Sequence, residues 1–184
     1  MKTKSQIRKH VLALRDALTP FERTRSEILL TERILGHQWY YKAKELLIFV
    51  SHSSEINTME IMEDAFRQKK TVYVPKVEDD VIEFYSITSI EDLKKGYKGI
   101  WEPESDINKR FVYEDAKADH VLMIMPGVAF DLVRNRIGYG KGFYDKYLSD
   151  KRNLHTIGIG FDCQMVSLIE TDETDIKPMQ VICL

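Results

Sequence analysis

Hydrophobic positions in this 184-residue chain follow two alternating periods, one of helices and one of strands. Ile7, Val11, Leu14 and Leu18 are spaced as one helical face, with Lys4, Arg8, Lys9 and Arg15 on the others. In "TPFE", Thr19 can cap, Pro20 suits the first helical position and Glu22 completes a capping box, predicting a second helix to about Leu35. "ELLIFV", Glu45 to Val50, is an apolar run suited to a buried strand. Asn57 or Thr58 can cap the next helix, whose face carries Ile61, Met62, Ala65 and Phe66. "TVYVPK" reads as a strand stopped by Pro75 and "VIEFYSI" as another, while "HVLMIMPG" is the strongest strand signal in the chain. A helix from about Gly142 to Leu148, a strand at "HTIGIGF" and a last strand at "VICL" complete the series.

This alternation predicts an α/β fold: one domain over residues 1–184, with a mainly parallel sheet flanked by helices in a Rossmann-like, three-layer arrangement. Ligands of such sheets gather beyond the carboxyl ends of the strands. The segments after Val50, Val74 and Met125 therefore share one working edge.

Composition narrows the chemistry. A net charge of −2 exerts no global attraction on nucleic acid, so any bound anion must be held by a local site. No apolar run approaches a membrane span, and the basic N-terminus lacks the hydrophobic centre of a secretory signal. Those residues read as the first helix, and the expected location is cytoplasmic. Cys163 and Cys183 show no metal-ligand spacing and read as reduced packing residues. The five histidines form no H-E-x-x-H motif, and "SHSS" lacks the glycines of a nucleophile elbow.

The stretch "MPGVAFDLVRNRIGYGKGFYDKYL", Met125 to Leu148, holds the candidate chemistry. Gly138, Gly140 and Gly142 alternate with Tyr139 and Lys141, so the backbone can take positive φ and approach a ligand closely. Successive N–H groups in such a loop form an anion nest, and the following helix adds its positive end. Arg136 and Lys141 bring full charges. The spacing is neither a P-loop nor G-x-G-x-x-G, and a glycine-rich turn with solvated charges accounts for it equally. Asp145, one turn into the helix, is either a magnesium ligand beside phosphates or a partner of the helix dipole. Asp131 can orient the loop through its backbone, or serve only as a turn residue. Glu55, beyond a strand end, can accept bonds from a polar heterocycle or belong to a helix approach. Lys4 and Arg8, at i and i+4, repel unless an anion lies between them; a solvated basic face is the plainer reading.

Together, "MPGVAFD…NRIGYGKGFYDKYL", "KSQIRKHVLALRDAL", "FVSHSSEINT", "VYVPK", the "EP" of "GIWEP" and "DIKPM" resemble the 5-formyltetrahydrofolate cyclo-ligases, also called 5,10-methenyltetrahydrofolate synthetases. The resemblance spans nearly the whole chain, and its loop signature is specific. It implies an ATP- and magnesium-dependent ring closure of 5-formyltetrahydrofolate through a phosphorylated formyl group, releasing ADP and phosphate. By position, it implies ATP contacts at Lys4 and Arg8 and along Arg136, Ile137, Gly138, Tyr139, Gly140, Lys141, Gly142, Phe143 and Tyr144. Folate contacts are implied at Val50 and Glu55 and along Tyr139, Gly140, Lys141, Gly142 and Phe143, with Mg²⁺ on Asp145 and Asp175. Tyr139 stands where many relatives carry Arg or Phe. Phe143 stands where Tyr is usual, so no hydroxyl role falls to it. The partners implied are small molecules, with neither nucleic acid nor membrane, and the chain is expected as a monomer or weak dimer. Two other classes suit this architecture: a non-catalytic folate- or nucleotide-binding protein and a sugar-phosphate isomerase-like protein. The joint presence of Arg136, Lys141, Asp145 and Asp175 favours the enzyme.

Overall fold

A computed structural model describes residues 3–115, 118–151 and 154–184. Its helices are α1 (Lys4–Asp16), α2 (Pro20–Leu35), α3 (Gln38–Lys42), α4 (Met59–Arg67) and α5 (Phe143–Leu148). The first strands are β1 (Glu45–Ile48), β2 (Thr71–Glu78), β3 (Val81–Ile87), β4 (Lys94–Lys95) and β5 (Trp101–Glu102). They are followed by β6 (Val121–Met125), β7 (Ala129–Asp131), β8 (Arg136–Ile137), β9 (His155–Gly160), β10 (Met165–Val166) and β11 (Gln180–Cys183).

Helix starts follow local chemistry. Thr3 with Gln6 and Thr19 with Glu22 form reciprocal capping boxes, and Pro20 opens α2 as expected. At α4 the two cap candidates divide the work. Asn57 Oδ1 accepts from the Met59 N–H, whereas the Thr58 hydroxyl turns away to donate to the Phe49 carbonyl.

The central sheet has the order β11-β9-β6-β1-β2-β3, parallel except for β3, which pairs antiparallel with β2. Both its faces are covered, so its strands are apolar on both sides. Leu46, Ile48, Leu122, Ile124, Ile157 and Ile159 face one core, with Leu30 and Ile34 of α2 and Ile61 and Met62 of α4. Leu47, Met123 and Met125 face the other, with Phe84, Tyr147 and Leu148. A third cluster joins Ile7 and Val11 of α1 to Val128, Ala129 and Ile137 beside the small sheet β10-β7-β8. The expected mixed α/β architecture with a mainly parallel sheet is what forms.

Three expectations change. Pro75 does not stop its strand: β2 continues to Glu78, because beyond Tyr73 only β3 pairs with it and a missing N–H there is tolerated. The stretch after Met125 is not a plain loop, since β7 and β8 pair within it. Asp131, nearly fully buried, accepts from the N–H groups of Val133, Asn135 and Ile169 and from the Asn135 amide, which pins the turn. On α1, Leu14 is 43% exposed and Arg15 only 2%, so a cation occupies the inner position. Cys163 and Cys183 are free thiols, as expected, and burial pushes the Cys183 thiol up to about 12.

Candidate functional site

The sheet changes direction of growth between β1 and β6, and there the segments leaving β1, β2 and β6 enclose a cavity of about 550 Å³. Val50 and Glu55 line it after β1, Pro75 and Val77 from β2, and Pro126 and Gly127 after β6. The glycine loop closes the far side with Arg136, Gly138, Tyr139, Lys141 and Gly142. Phe143, Tyr144 and Asp145 at the start of α5 complete that wall. Gly140 and Gly142 have φ of +102° and +66°, a region that penalises any side chain.

Other candidates stand behind this wall. Ile137 points into the α1 core with Ile7 and Val11. Arg8 Nε donates to the Gly138 carbonyl at 2.8 Å, and its guanidinium packs beside Gly140. Lys4 Nζ bridges Asp172 at 2.6 Å and Asp175 at 2.5 Å. Burial alone lowers its pKa, but the bonds to both carboxylates outweigh this and raise it. Protein groups thus offset the Lys4–Arg8 repulsion: two carboxylates on Lys4 and a neutral backbone carbonyl on Arg8.

Asp145 Oδ1 accepts from Arg136 Nη2 at 2.8 Å and from the Ile176 N–H at 3.0 Å. That backbone bond ties the segment carrying Asp175 to α5. Asp175 Oδ2 accepts from Lys4 and from the Asp172 N–H, so each acid keeps a second oxygen outside these bonds. Among the described residues no cluster of three or more His, Cys, Asp or Glu could hold a metal. Asp145 lines the cavity and Asp175 does not; each offers the hard carboxylate oxygen suited to an ion such as Mg²⁺, which takes one or two carboxylates and completes its shell with phosphate oxygens and water.

Glu55 sits in a tight turn, accepting from the His52 N–H at 2.9 Å. Burial pushes its carboxyl up, against the His52 bond, a hydrogen bond with Tyr139 and the charge of Arg15. Arg15 Nη2 donates to the Tyr139 hydroxyl at 2.8 Å and Arg15 Nε to Ser54 Oγ at 3.0 Å. Three polar atoms on cavity-lining residues are buried without a partner: Arg15 Nη1, Arg136 Nε and the Tyr144 hydroxyl. An unpaired buried donor costs about 1–3 kcal/mol, so this wall is chemically complementary to a ligand rich in acceptors.

Three lining residues escape a reading of periodicity. Arg15 lies at i+4 from Val11 and i+8 from Ile7, the one signal that it belongs to the inner face. Tyr97 meets Phe143 edge-on at 6.5 Å from the β4–β5 hairpin, which has too few apolar residues to show as strands. The buried Glu102 of that hairpin accepts from the Tyr97 and Val77 N–H groups and holds it in place.

An α/β chain with a glycine loop, an arginine and an acid at the switch point of its sheet belongs to a recognisable class. The 5-formyltetrahydrofolate cyclo-ligase family model matches residues 1–184. The 5-formyltetrahydrofolate cyclo-ligase of Mus musculus is 30% identical, over 90% of this chain and 86% of its own. The Haemophilus influenzae protein of that name is 27% identical, over 97% of this chain and 96% of its own. The solved 5,10-methenyltetrahydrofolate synthetase of Aquifex aeolicus superposes with a TM-score of 0.83 at 29% identity, over 97% of this chain and 88% of the other. The chain belongs to the 5-formyltetrahydrofolate cyclo-ligase family, and it is a ligase. The non-catalytic and isomerase alternatives therefore fall away. No helix among the described residues is long and apolar enough to cross a membrane.

Proposed function

We propose that the chain, acting as one catalytic domain, closes the ring of 5-formyltetrahydrofolate to 5,10-methenyltetrahydrofolate at the expense of ATP. The formyl oxygen attacks the γ-phosphorus, the bond to ADP breaks, and the formyl carbon carries a phosphate ester. N10 then attacks that carbon, its proton is lost, and phosphate departs to leave the methenyl bridge. No protein nucleophile is required; positioning and charge stabilisation supply the catalysis.

The observation that carries this reading is the buried, incompletely paired wall of donors around one cavity, facing the carboxylate of Glu55. Arg136, Lys141 and the loop N–H groups are suited to polyphosphate oxygens, with Arg8 bracing the loop through the Gly138 carbonyl. Asp145 and Asp175 would hold Mg²⁺, which neutralises phosphate charge when bound. Glu55 and Val50 suit the ring system, and Phe143 offers it an apolar face. The phosphate site thereby abuts the formyl group, which in-line transfer demands.

The test is incubation of the purified chain with 5-formyltetrahydrofolate, ATP and Mg²⁺ while the methenyl chromophore is followed. Product should appear only with all three present and in step with ADP. Equal conversion without ATP would overturn the reading.

A further inference from the structure

Arg15 is a cation buried to 2% exposure whose hydrogen-bond partners, Ser54 and Tyr139, are both neutral hydroxyls. Among the described residues no carboxylate forms an ion pair with it, and its Nη1 has no acceptor. A buried guanidinium left in this condition is costly, and the fold holds it in place from three elements. Arg15 belongs to α1, Ser54 to the turn after β1 and Tyr139 to the glycine loop. Arg23 reinforces the arrangement by donating to the carbonyls of Ser54 and Arg15. The Tyr139 hydroxyl accepts from Arg15, and the Glu55 carboxylate lies near enough to both for their influence to be felt in its titration.

We infer that Arg15 and Glu55 together read the amino-amide edge of the pterin, Glu55 accepting from the 2-amino and N3–H groups and Arg15 Nη1 donating to the 4-oxo oxygen. The inference rests on the folate reading above and assigns a specificity role to Arg15. The wall's geometry favours the ring over a phosphate as the occupant. Ser54, which accepts from Arg15, and Glu55 are adjacent in the chain, whereas the guanidinium on the glycine loop, Arg136, is already paired with the Asp145 carboxylate. Tyr139 acquires a purpose here: its hydroxyl holds the Arg15 guanidinium in place.

Such an edge is discriminated by replacing the oxo oxygen with an amino group, which sets a donor against a donor. The full-length protein is titrated calorimetrically with 5-formyltetrahydrofolate and with its 2,4-diamino counterpart, and KM values for folate and ATP are measured. Wild type should prefer the 4-oxo ligand by about 10- to 100-fold, the value of one hydrogen bond to a charged group. Arg15→Gln should narrow that ratio to the part Glu55 still reads through N3–H, and raise folate KM while leaving ATP KM within about two-fold, since only one of the two ligands is touched. Should Arg15→Gln lose cooperative melting, Arg15→Lys carries the comparison, because it keeps the charge but not the planar fork. A wild type that binds both ligands equally overturns the inference. So does an unchanged ratio in the variant, or a rise confined to ATP KM. The ratio is read without turnover, so absence of methenyl product would count against the proposed reaction and not against Arg15.

Discussion

Glu55 shows how one side chain couples the site to pH. Burial holds its carboxyl above the ordinary value of 4.5, with the His52 N–H, Tyr139 and Arg15 opposing. A carboxyl raised by folding keeps its proton longer in the native state than in the unfolded one. Its contribution to stability is therefore fully present below 4.5 and is lost as pH rises through the folded value. Substrate binding runs the other way, because ring donors require the ionised form. Folate KM should rise as pH falls through the raised value, and Glu55→Gln should abolish that dependence while costing about 1–3 kcal/mol of folate binding. A pH series of folate KM for both proteins checks this; a parallel acid limb in the variant would assign the titration to another group. The acid's position beyond a strand end was legible in the sequence. Its nearness to Tyr139 and Arg15 was not, since both lie far from it along the chain.

At the scale of elements, features whose causes are local were legible. The Thr19–Glu22 capping box formed as spaced, since its bonds run between residues three apart. Features decided by a neighbouring element were not. Pro75 lies in a strand because of which partner is missing, and Arg15 is inward because Tyr139 and Ser54 wait for it. The glycine loop is both kinds at once. Its flexibility is written in the glycines, but its working shape depends on Arg8 of α1, whose guanidinium lies 3.6 Å from where a Gly140 Cβ would stand. A methyl group fits that space, so the cost of Gly140→Ala is conformational: at φ +102° it amounts to about 1–3 kcal/mol. The variant should fold, melt modestly lower, and lose ATP affinity more than folate affinity. Calorimetry and paired KM values test this, and an unaltered ATP KM would remove the loop from the phosphate site.

At the scale of the molecule, the cavity links ligand binding to stability across elements. ATP with Mg²⁺ at a hundredfold excess over Kd should add about 2.7 kcal/mol, a rise of several degrees in Tm. Asp145→Asn should lower the ligand-free stability by about 1.5–3 kcal/mol, seen as a lower Tm, because it leaves the Arg136 guanidinium without its carboxylate. It should also lose most of the increment that Mg²⁺ adds beyond ATP alone. Thermal scans with ATP, with and without Mg²⁺, separate the two effects; a full increment in the variant would leave Asp145 as an Arg136 partner only. What the sequence by itself determined is the alternation of strands and helices, their caps, and the glycine and acid motifs, because each depends on residues within a few positions of one another. Only the tertiary structure decided which of these share a cavity. Sheet order carries β1, β2 and β6 to one edge, and α1 crosses behind the loop with a cation, Arg15, whose partners no local pattern predicts. Contacts between residues far apart in the chain follow from packing, and packing leaves no period in the sequence.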